Sequence, residues 1–490
     1  MFGKLRSVFV LFFALVVLAA ACGDTGGGDG PVGDDPPDTT EPTTGDGDPP
    51  GDGDGDGDQD PGGDDPDDVA WRLSDCRAQS LADFHEDSPR IATDLIVFAH
   101  EPGVDPLSVA EVAGTLEMFG LDEPIQPATL LGNAQRYDLG DFRDNDELPG
   151  LQEPFWQALN ERLTLFQLPT NDIDQLENAL ENLSGVVPPG LDVGPVHLTG
   201  FLGHWGAFTG TDPQICDRNG EPAAPEGEPI NVGVIDTGFL PDNGIAEAGP
   251  GDWSIQNTDH SVDNGVCPVS HGEFVGSVVK AVNPAARVYT ANAFPLSGRC
   301  WESDEFQVAW AAARLAALAP AIEGIEVFNF SVGAEPHTAL STGTTYAPVI
   351  LPIVIDLLFE SGVAGGDQVY AAAGNAPGLT SLQPADLDGV IAVAAADEDG
   401  EPVVWVRNEL GDVEGVVNEP PPWTQLLAPG CNIVAVGTDL TANANEVVVW
   451  SGSSFAAPIA AVTLAGGNVE PDAFENVLYQ RGLVEPSQCE

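Results

Sequence analysis

From Ile230 onward, short and fully apolar segments recur between longer stretches with helical spacing, and this alternation leaves few folds open to the chain. The segments are Ile230–Ile235, Arg287–Phe294, Ile325–Phe330, Gln368–Ala373, Val390–Ala395 and Asn432–Val436. Helices are predicted to begin near His271, Ser303, Pro348, Phe455 and Pro471. A strand that is apolar throughout has to be covered on both faces. A mostly parallel sheet with helical crossovers on either side achieves this, which makes the expected class α/β. In such a sheet the ligand crevice opens beyond the carboxyl ends of the strands. The residues that close or follow each apolar run are therefore the candidates for chemistry.

Val447–Gly466 shows the pattern most compactly. The run Val447–Trp450 reads as a buried strand, and Ser451-Gly452-Ser453-Ser454 as a tight turn. From Phe455 a helix apolar on every side is expected, with Pro458 in its first turn, where a missing N–H costs least. A serine at the start of a buried helix has two uses. It caps the helix, or it is a nucleophile whose developing oxyanion faces backbone N–H groups.

Three further residues stand at comparable places. Asp236 closes the strand ending Gly-Val-Ile-Asp and is followed by Thr237-Gly238. A carboxylate there needs donor partners, unless it only forms an Asx-turn. His271 opens HGEFVGSVVKAV, whose Phe274, Val275, Val278 and Val279 mark a buried helical face. It is either a core histidine satisfied by a carbonyl or a base. Asn375 follows the strand Val369-Tyr-Ala-Ala-Ala-Gly, and its amide either caps a turn or donates into the cleft. His260 and His337, in polar loops, are weaker candidates.

Taken together, Asp236, His271 and Ser454 converge on one inferred sheet edge, and Asn375 adds an oxyanion donor. Chain order separates the possible acyl-transfer folds. No histidine follows Ser454, since the last is His337, so the order Ser, acid, His of an α/β-hydrolase is excluded. Ala456 also breaks the G-x-S-x-G elbow of that fold. The order here is Asp, His, Ser, whereas a chymotrypsin-like chain places His first.

On these residues the chain resembles the subtilisin-like (subtilase) serine proteases. VIDTG at Asp236, HG at His271, AAAGN at Asn375 and GSSFAAP at Ser454 each match a family block, in order, and the similarity covers roughly Leu198–Glu490. The resemblance implies a triad of Asp236, His271 and Ser454 with Asn375 in the oxyanion hole. It implies that Ser331, Val332 and Gly333 pair with substrate backbone, that Leu427–Gly430 is a further family segment, and that Gln383–Pro384 is a cis bond. It also implies an acyl-enzyme mechanism that needs no cofactor, and protein or peptide substrates. Structural calcium is a family possibility that no recognisable loop places. The departures are Phe274 where members commonly carry a second histidine, Ser453 for threonine and Phe455 for methionine. The insertion Glu335–Pro352, expected along the cleft, prevents the family's usual specificity from carrying over. The rival reading, from a different class, is a catalytically silent subtilase fold kept as a surface binding module.

The expected organisation begins with a signal peptide over 1–21. Lys4 and Arg6 precede an apolar run, Val8–Ala21, too short to span a bilayer. The sequence Leu18-Ala-Ala-Ala-Cys22-Gly resembles a lipoprotein processing box, with its leucine one position early; Cys22 would carry the lipid. Residues 22–70 form an acidic Gly/Asp/Pro linker, with 17 acidic residues and no basic one between Gly23 and Ala70. Residues 71–195 read as a small α+β region. Its strands are Ile91–Phe98 and Arg162–Leu168; its helices are Val109–Phe119 and one capped by Asp172. By pattern it resembles an inhibitory propeptide. Residues 196–490 are the peptidase region.

The net charge of −63, from 78 Asp+Glu against 15 Lys+Arg, excludes nucleic acid as a partner. It suits an extracytoplasmic protein, either secreted or held at the membrane through Cys22. Of the seven cysteines, Cys216, Cys267, Cys300, Cys431 and Cys489 lie in the peptidase region and Cys76 before it. Either Cys76 bridges across as a tether, or it and a peptidase cysteine stay free; Cys431 is a candidate free thiol.

Overall fold

The structure is a computed structural model. It describes residues 91–121, 123–125, 153–170, 172–200, 214–216, 229–237, 253–255, 271–283, 285–293, 302–321, 324–339, 341–365, 368–397, 400–407, 413–439 and 444–465. In chain order the first strands are β1 (Ile91–His100), β2 (Leu163–Gln167), β3 (Leu191–Gly200), β4 (Gln214–Cys216), β5 (Asn231–Asp236) and β6 (Trp253–Ile255). Next come β7 (Arg287–Asn292), β8 (Glu302–Asp304), β9 (Val327–Phe330), β10 (His337–Thr338), β11 (Thr345–Tyr346) and β12 (Val369–Ala372). The last are β13 (Ile391–Ala396), β14 (Val404–Arg407), β15 (Val413–Val417), β16 (Leu426–Pro429), β17 (Ile433–Asp439) and β18 (Ala444–Trp450). The helices are α1 (Ala110–Met118), α2 (Glu153–Asn160), α3 (Ile173–Ser184), α4 (His271–Val282), α5 (Glu305–Leu318), α6 (Ile350–Glu360) and α7 (Ser453–Ala465).

Among the described residues the principal sheet has seven strands in the order β16-β13-β12-β9-β5-β7-β6, each pair parallel. Period-two alternation along these strands feeds two cores. Val232 and Val234 of β5, Val288 of β7 and Val393 of β13 pack with α4 and α7 on one face. Ile235, Ala291, Phe330, Ala371 and Ala394 pack with α5 and α6 on the other. The inferred α/β class, with helices on both faces, is what the described residues adopt.

The strand positions follow the apolar runs to within about two residues, with instructive departures. Asn432–Val436 was expected in this sheet, but β17 pairs antiparallel with β18 in a separate sheet, β17-β18-β4. Asn432 has φ 52°, a left-handed turn that redirects the chain after β16. The edge strand β16 and the hairpin β14–β15 carry no long apolar run and were not anticipated. Helix α5 starts at Glu305 because Asp304 caps it, its carboxylate accepting from Gln307 N at 3.1 Å. The helix expected near Pro471 lies outside the described residues, as do the signal segment, Cys22, the acidic linker, His260, Cys76, Cys267, Cys300 and Cys489.

The residues before the main sheet form an α+β layer. Strands β2-β1-β3-β8 make an antiparallel sheet in which β3 bonds β1 on one side and β8 on the other, so this sheet includes a strand from the later part of the chain. A register irregularity between Ala92 and Ile96 reverses which side chains of β1 face which core. Beyond it Leu95 and Val97 pack toward α5, while Ile96 and Phe98 pack under α1 and α3. Helix α3 begins after Asp172, whose side chain accepts from Asp174 N at 3.0 Å and Gln175 N at 3.3 Å. Glu305, fully buried, ties the layers together. Its Oε2 accepts from His197 N of β3 at 2.9 Å, and its Oε1 accepts from Ile350 N and Leu351 N, which start α6, at 3.0 and 3.2 Å.

The insertion Glu335–Pro352 forms the hairpin β10–β11, and Ala339 and Tyr346 join the core under α1 and α3. Here His337 Nε2 lies 3.1 Å from Glu177 Oε1, and Ser341 Oγ donates to Glu177 Oε2 at 2.8 Å. Burial holds the His337 imidazole below its ordinary value of 6.5, against the opposing pull of Glu177. The unfolded chain therefore takes up this proton more readily than the folded one, so stability is lost as the pH falls below 6.5. The thermal midpoint of wild type is expected to fall more steeply between about pH 7 and pH 5 than that of His337→Gln. Equal slopes would show that His337 does not contribute.

Candidate active site

The strand order reverses between β5 and β9, and the chemistry-bearing residues gather at the carboxyl ends of the strands around that point. Asp236 is the last residue of β5 and His271 the first of α4. The two elements are clamped end to end by Thr237, whose Oγ1 accepts from Gly272 N at 2.7 Å, within the first turn of α4. That clamp sets the imidazole against the carboxylate. His271 Nδ1 lies 2.8 Å from Asp236 Oδ2 and 2.9 Å from Oδ1. Thr237 N donates to Oδ1 at 2.7 Å. With Nδ1 carrying the proton, Nε2 is the basic nitrogen of the neutral ring.

Ser454 is the second residue of α7, a helix apolar all round because it packs against α4, β9, β12, β13 and β16. Pro458 was expected in its first turn but is the sixth residue of the helix. It lacks the N–H that an ideal helix would send to the carbonyl of Ser454, four residues earlier. The gap is filled from β9's extension, where Ser331 Oγ donates to Ser454 O at 2.7 Å. Asn329 Nδ2 donates to Ser331 Oγ at 2.8 Å, which aims that hydroxyl's own proton at Ser454. In return Ser454 Oγ donates to Ser331 O at 3.4 Å.

Asn375 stands just past β12. Gly374 before it has φ 105°, a conformation that effectively requires glycine and turns the chain back toward α7. Ser453 N donates to Asn375 Oδ1 at 2.7 Å, and Gly374 N donates to Ser453 Oγ at 3.2 Å. With Oδ1 held by the backbone beside Ser454, the planar amide directs Nδ2 to its opposite side. Asp236 and Asn375 are fully buried, and His271 and Ser454 are 1% exposed, so water screens their charges little.

Ser331, Val332 and Gly333 continue from β9 toward an antiparallel bridge between Ala334 and Gln383. A side chain at Gly333 would lie 2.8 Å from Leu382 Cδ1 and 3.2 Å from Gln383 O, so the close approach requires glycine. Gln383–Pro384 is cis, as the resemblance implied. His337, a weaker candidate, faces Glu177 instead. Among the described residues no group of three or more His, Cys, Asp or Glu comes together to hold a metal. Cys431 is free, and its thiol is pushed up to about 12, chiefly by burial and then by Asp397.

Two positions were not legible in the sequence as site residues: Thr237 as the cap of α4, and Trp450 beside the imidazole. The tie from Ser331 to Ser454 had a signal, a proline four residues after the serine.

Residues 227–466 match the model of the subtilase family, Peptidase S8. A relative, the thermophilic serine proteinase of Bacillus sp. (strain AK1), is 30% identical over 136 residues, which are 28% of this chain and 26% of that protein. The chain thus spans about a quarter of that relative's length. Among solved structures, a lanthipeptide protease overlays 48% of this chain and 72% of its own at 17% identity and a TM-score of 0.33. The psychrophilic subtilisin-like protease Apa1 from the Antarctic psychrotroph Pseudoalteromonas sp. AS-11 overlays 42% and 43%, also at 17% identity, with a TM-score of 0.27.

Ser331→Ala removes the hydroxyl donor from the buried Ser454 carbonyl, which Pro458 cannot replace. It is expected to cost about 1–3 kcal/mol in denaturant unfolding, the penalty for a buried acceptor that loses its donor. A change below about 0.5 kcal/mol, the range of neutral surface substitutions, would show that the bond is incidental.

Proposed function

Because residues 227–466 match the model of the subtilase family, we propose that the protein is a serine endopeptidase acting through Asp236, His271 and Ser454. The observation that carries the reading is the placement of His271 Nδ1 on the Asp236 carboxylate, at the sheet edge from which Ser454 also emerges. Ser454 Oγ attacks the peptide carbonyl while His271 Nε2 takes its proton. Asp236 holds the ring in the tautomer with Nδ1 protonated and stabilises the imidazolium that forms. The oxyanion is received by Asn375 Nδ2 and the backbone N–H of Ser454, in the first turn of α7. His271 then protonates the leaving amine. Water hydrolyses the acyl-enzyme with His271 again as base, and no cofactor enters.

The substrate is a protein or peptide whose extended backbone adds as a strand along Ser331, Val332 and Gly333. Residues 71–195 serve as the protein's own propeptide and inhibitor. The enzyme works outside the cytoplasm, secreted or anchored through lipidated Cys22. The contacts of Glu177 with His337 and Ser341, and the packing of Trp156 on Trp310, support the docking of that segment on the peptidase.

An active-serine fluorophosphonate tests the activity against a silent binding scaffold. Folded, processed wild type is expected to take up the label at Ser454, whereas a protein that stays unlabelled is the scaffold. Asn375→Ala is expected to lower kcat by about 10²–10³-fold with little change in KM, the usual loss for one oxyanion donor. A rate within a few-fold of wild type would remove Asn375 from the oxyanion hole.

A further inference from the structure

Besides the Asp236 carboxylate, the imidazole of His271 packs against two aromatic rings. Trp450, the last residue of β18, meets it edge to face, with centroids 5.2 Å apart and planes at 88°. Phe455, next to Ser454, lies 5.3 Å away at 41°. These two rings are 5.1 Å apart. Phe274, three residues after His271 on α4, backs both, at 4.7 Å from Phe455 and 5.6 Å from Trp450. Trp450, Phe455 and Phe274 are all among the largest fully buried side chains. Two of the three rings, Phe274 and Phe455, stand at two of the three positions where this sequence departs from the family blocks.

Two physical consequences follow. First, an imidazole held at Nδ1 by a carboxylate still has freedom to tilt about that bond, and two closely packed rings restrict it. Second, the reaction makes the ring cationic in a site where water cannot solvate it, and the negative π faces of aromatic rings attract a cation most strongly when desolvated. Indole has the strongest such face. We propose that Trp450, buttressed by Phe455 and Phe274, is a positioning residue that orients His271 and supports its imidazolium during catalysis. The proposal rests on the assignment of His271 as the base, and it adds to the Asp236 contact a second, aromatic support.

The test compares Trp450→Leu, which fills space without a π face, with Trp450→Phe, which keeps one. Both are to be checked for folding by thermal melting, then assayed with a peptide substrate. Trp450→Leu is expected to lose about 3- to 30-fold in kcat with KM within about threefold, and Trp450→Phe to recover most of that loss. If both variants lose kcat equally, or Trp450→Leu keeps wild-type kcat, the proposal is overturned and Trp450 is only core packing. Failure of the endopeptidase reading shows separately, as folded wild type that turns over no peptide and takes no fluorophosphonate. The contact itself is then read by NMR. The His271 ring protons should carry an upfield ring-current shift in wild type and Trp450→Phe that Trp450→Leu loses. No such difference would also overturn the proposal.

Discussion

The reversal of strand order between β5 and β9 is the constraint on which the rest depends. Chain leaving β5 moves one way to β6 and β7, and chain leaving β7 returns past β5 to β9. Helix α4 joins β6 to β7 and α5 lies between β7 and β9, so both crossovers travel the same way along the sheet. The two helices nonetheless pack on opposite faces, so the crossovers are of opposite hand. The carboxyl ends of β5 and β9 adjoin at that point, where the crevice of such a sheet opens. Asp236 and Ser331 border that crevice because they close or follow those two strands. His271 comes to it because α4 starts there. The site is thus a consequence of where the strand order reverses in a run of apolar strands.

Ser454 reaches the same crevice by another route. Helix α7 is buried among five other elements and carries a proline in its interior, which ordinarily costs about 3 kcal/mol or more. Part of that loss is the missing bond to the Ser454 carbonyl, and Ser331 supplies a replacement donor at 2.7 Å. The same feature that weakens the first turns of the helix therefore fixes the serine to the neighbouring strand. Ser453 adds contacts to Gly374 and Asn375. The ends of β9 and β12 are in this way registered to one another through α7 at the level of single side chains.

Much of this arrangement was legible because it is local. Short apolar runs mark buried strands, and the polar residue that ends each run falls at the sheet edge, so Asp236, Asn375 and the start of α4 could be placed from spacing alone. What was not legible depends on partners distant in sequence. Asn432–Val436 looks like any other buried strand, and only the left-handed Asn432 and the pairing with β18 remove β17 from the main sheet. Strand β16 is short and contains Pro429, and it is recruited by pairing with β13. The side-chain set around His271 comes from α4, β18 and α7, and no periodicity in one segment reports a contact among three. The hairpin β10–β11 was expected along the cleft, whereas apolar burial and the Glu177 contacts seat it under α3.

The central claim is that Asp236, His271 and Ser454 form one catalytic unit rather than three separately useful residues. Groups that act as a unit show strongly non-additive losses, since removing any one disables the others. The most direct measurement is therefore the residual peptide-hydrolysis rate of Ser454→Ala, His271→Ala and the double variant, each confirmed folded. The account predicts that the double variant retains about the same residual kcat as either single one. Losses that multiply in the double variant would contradict it.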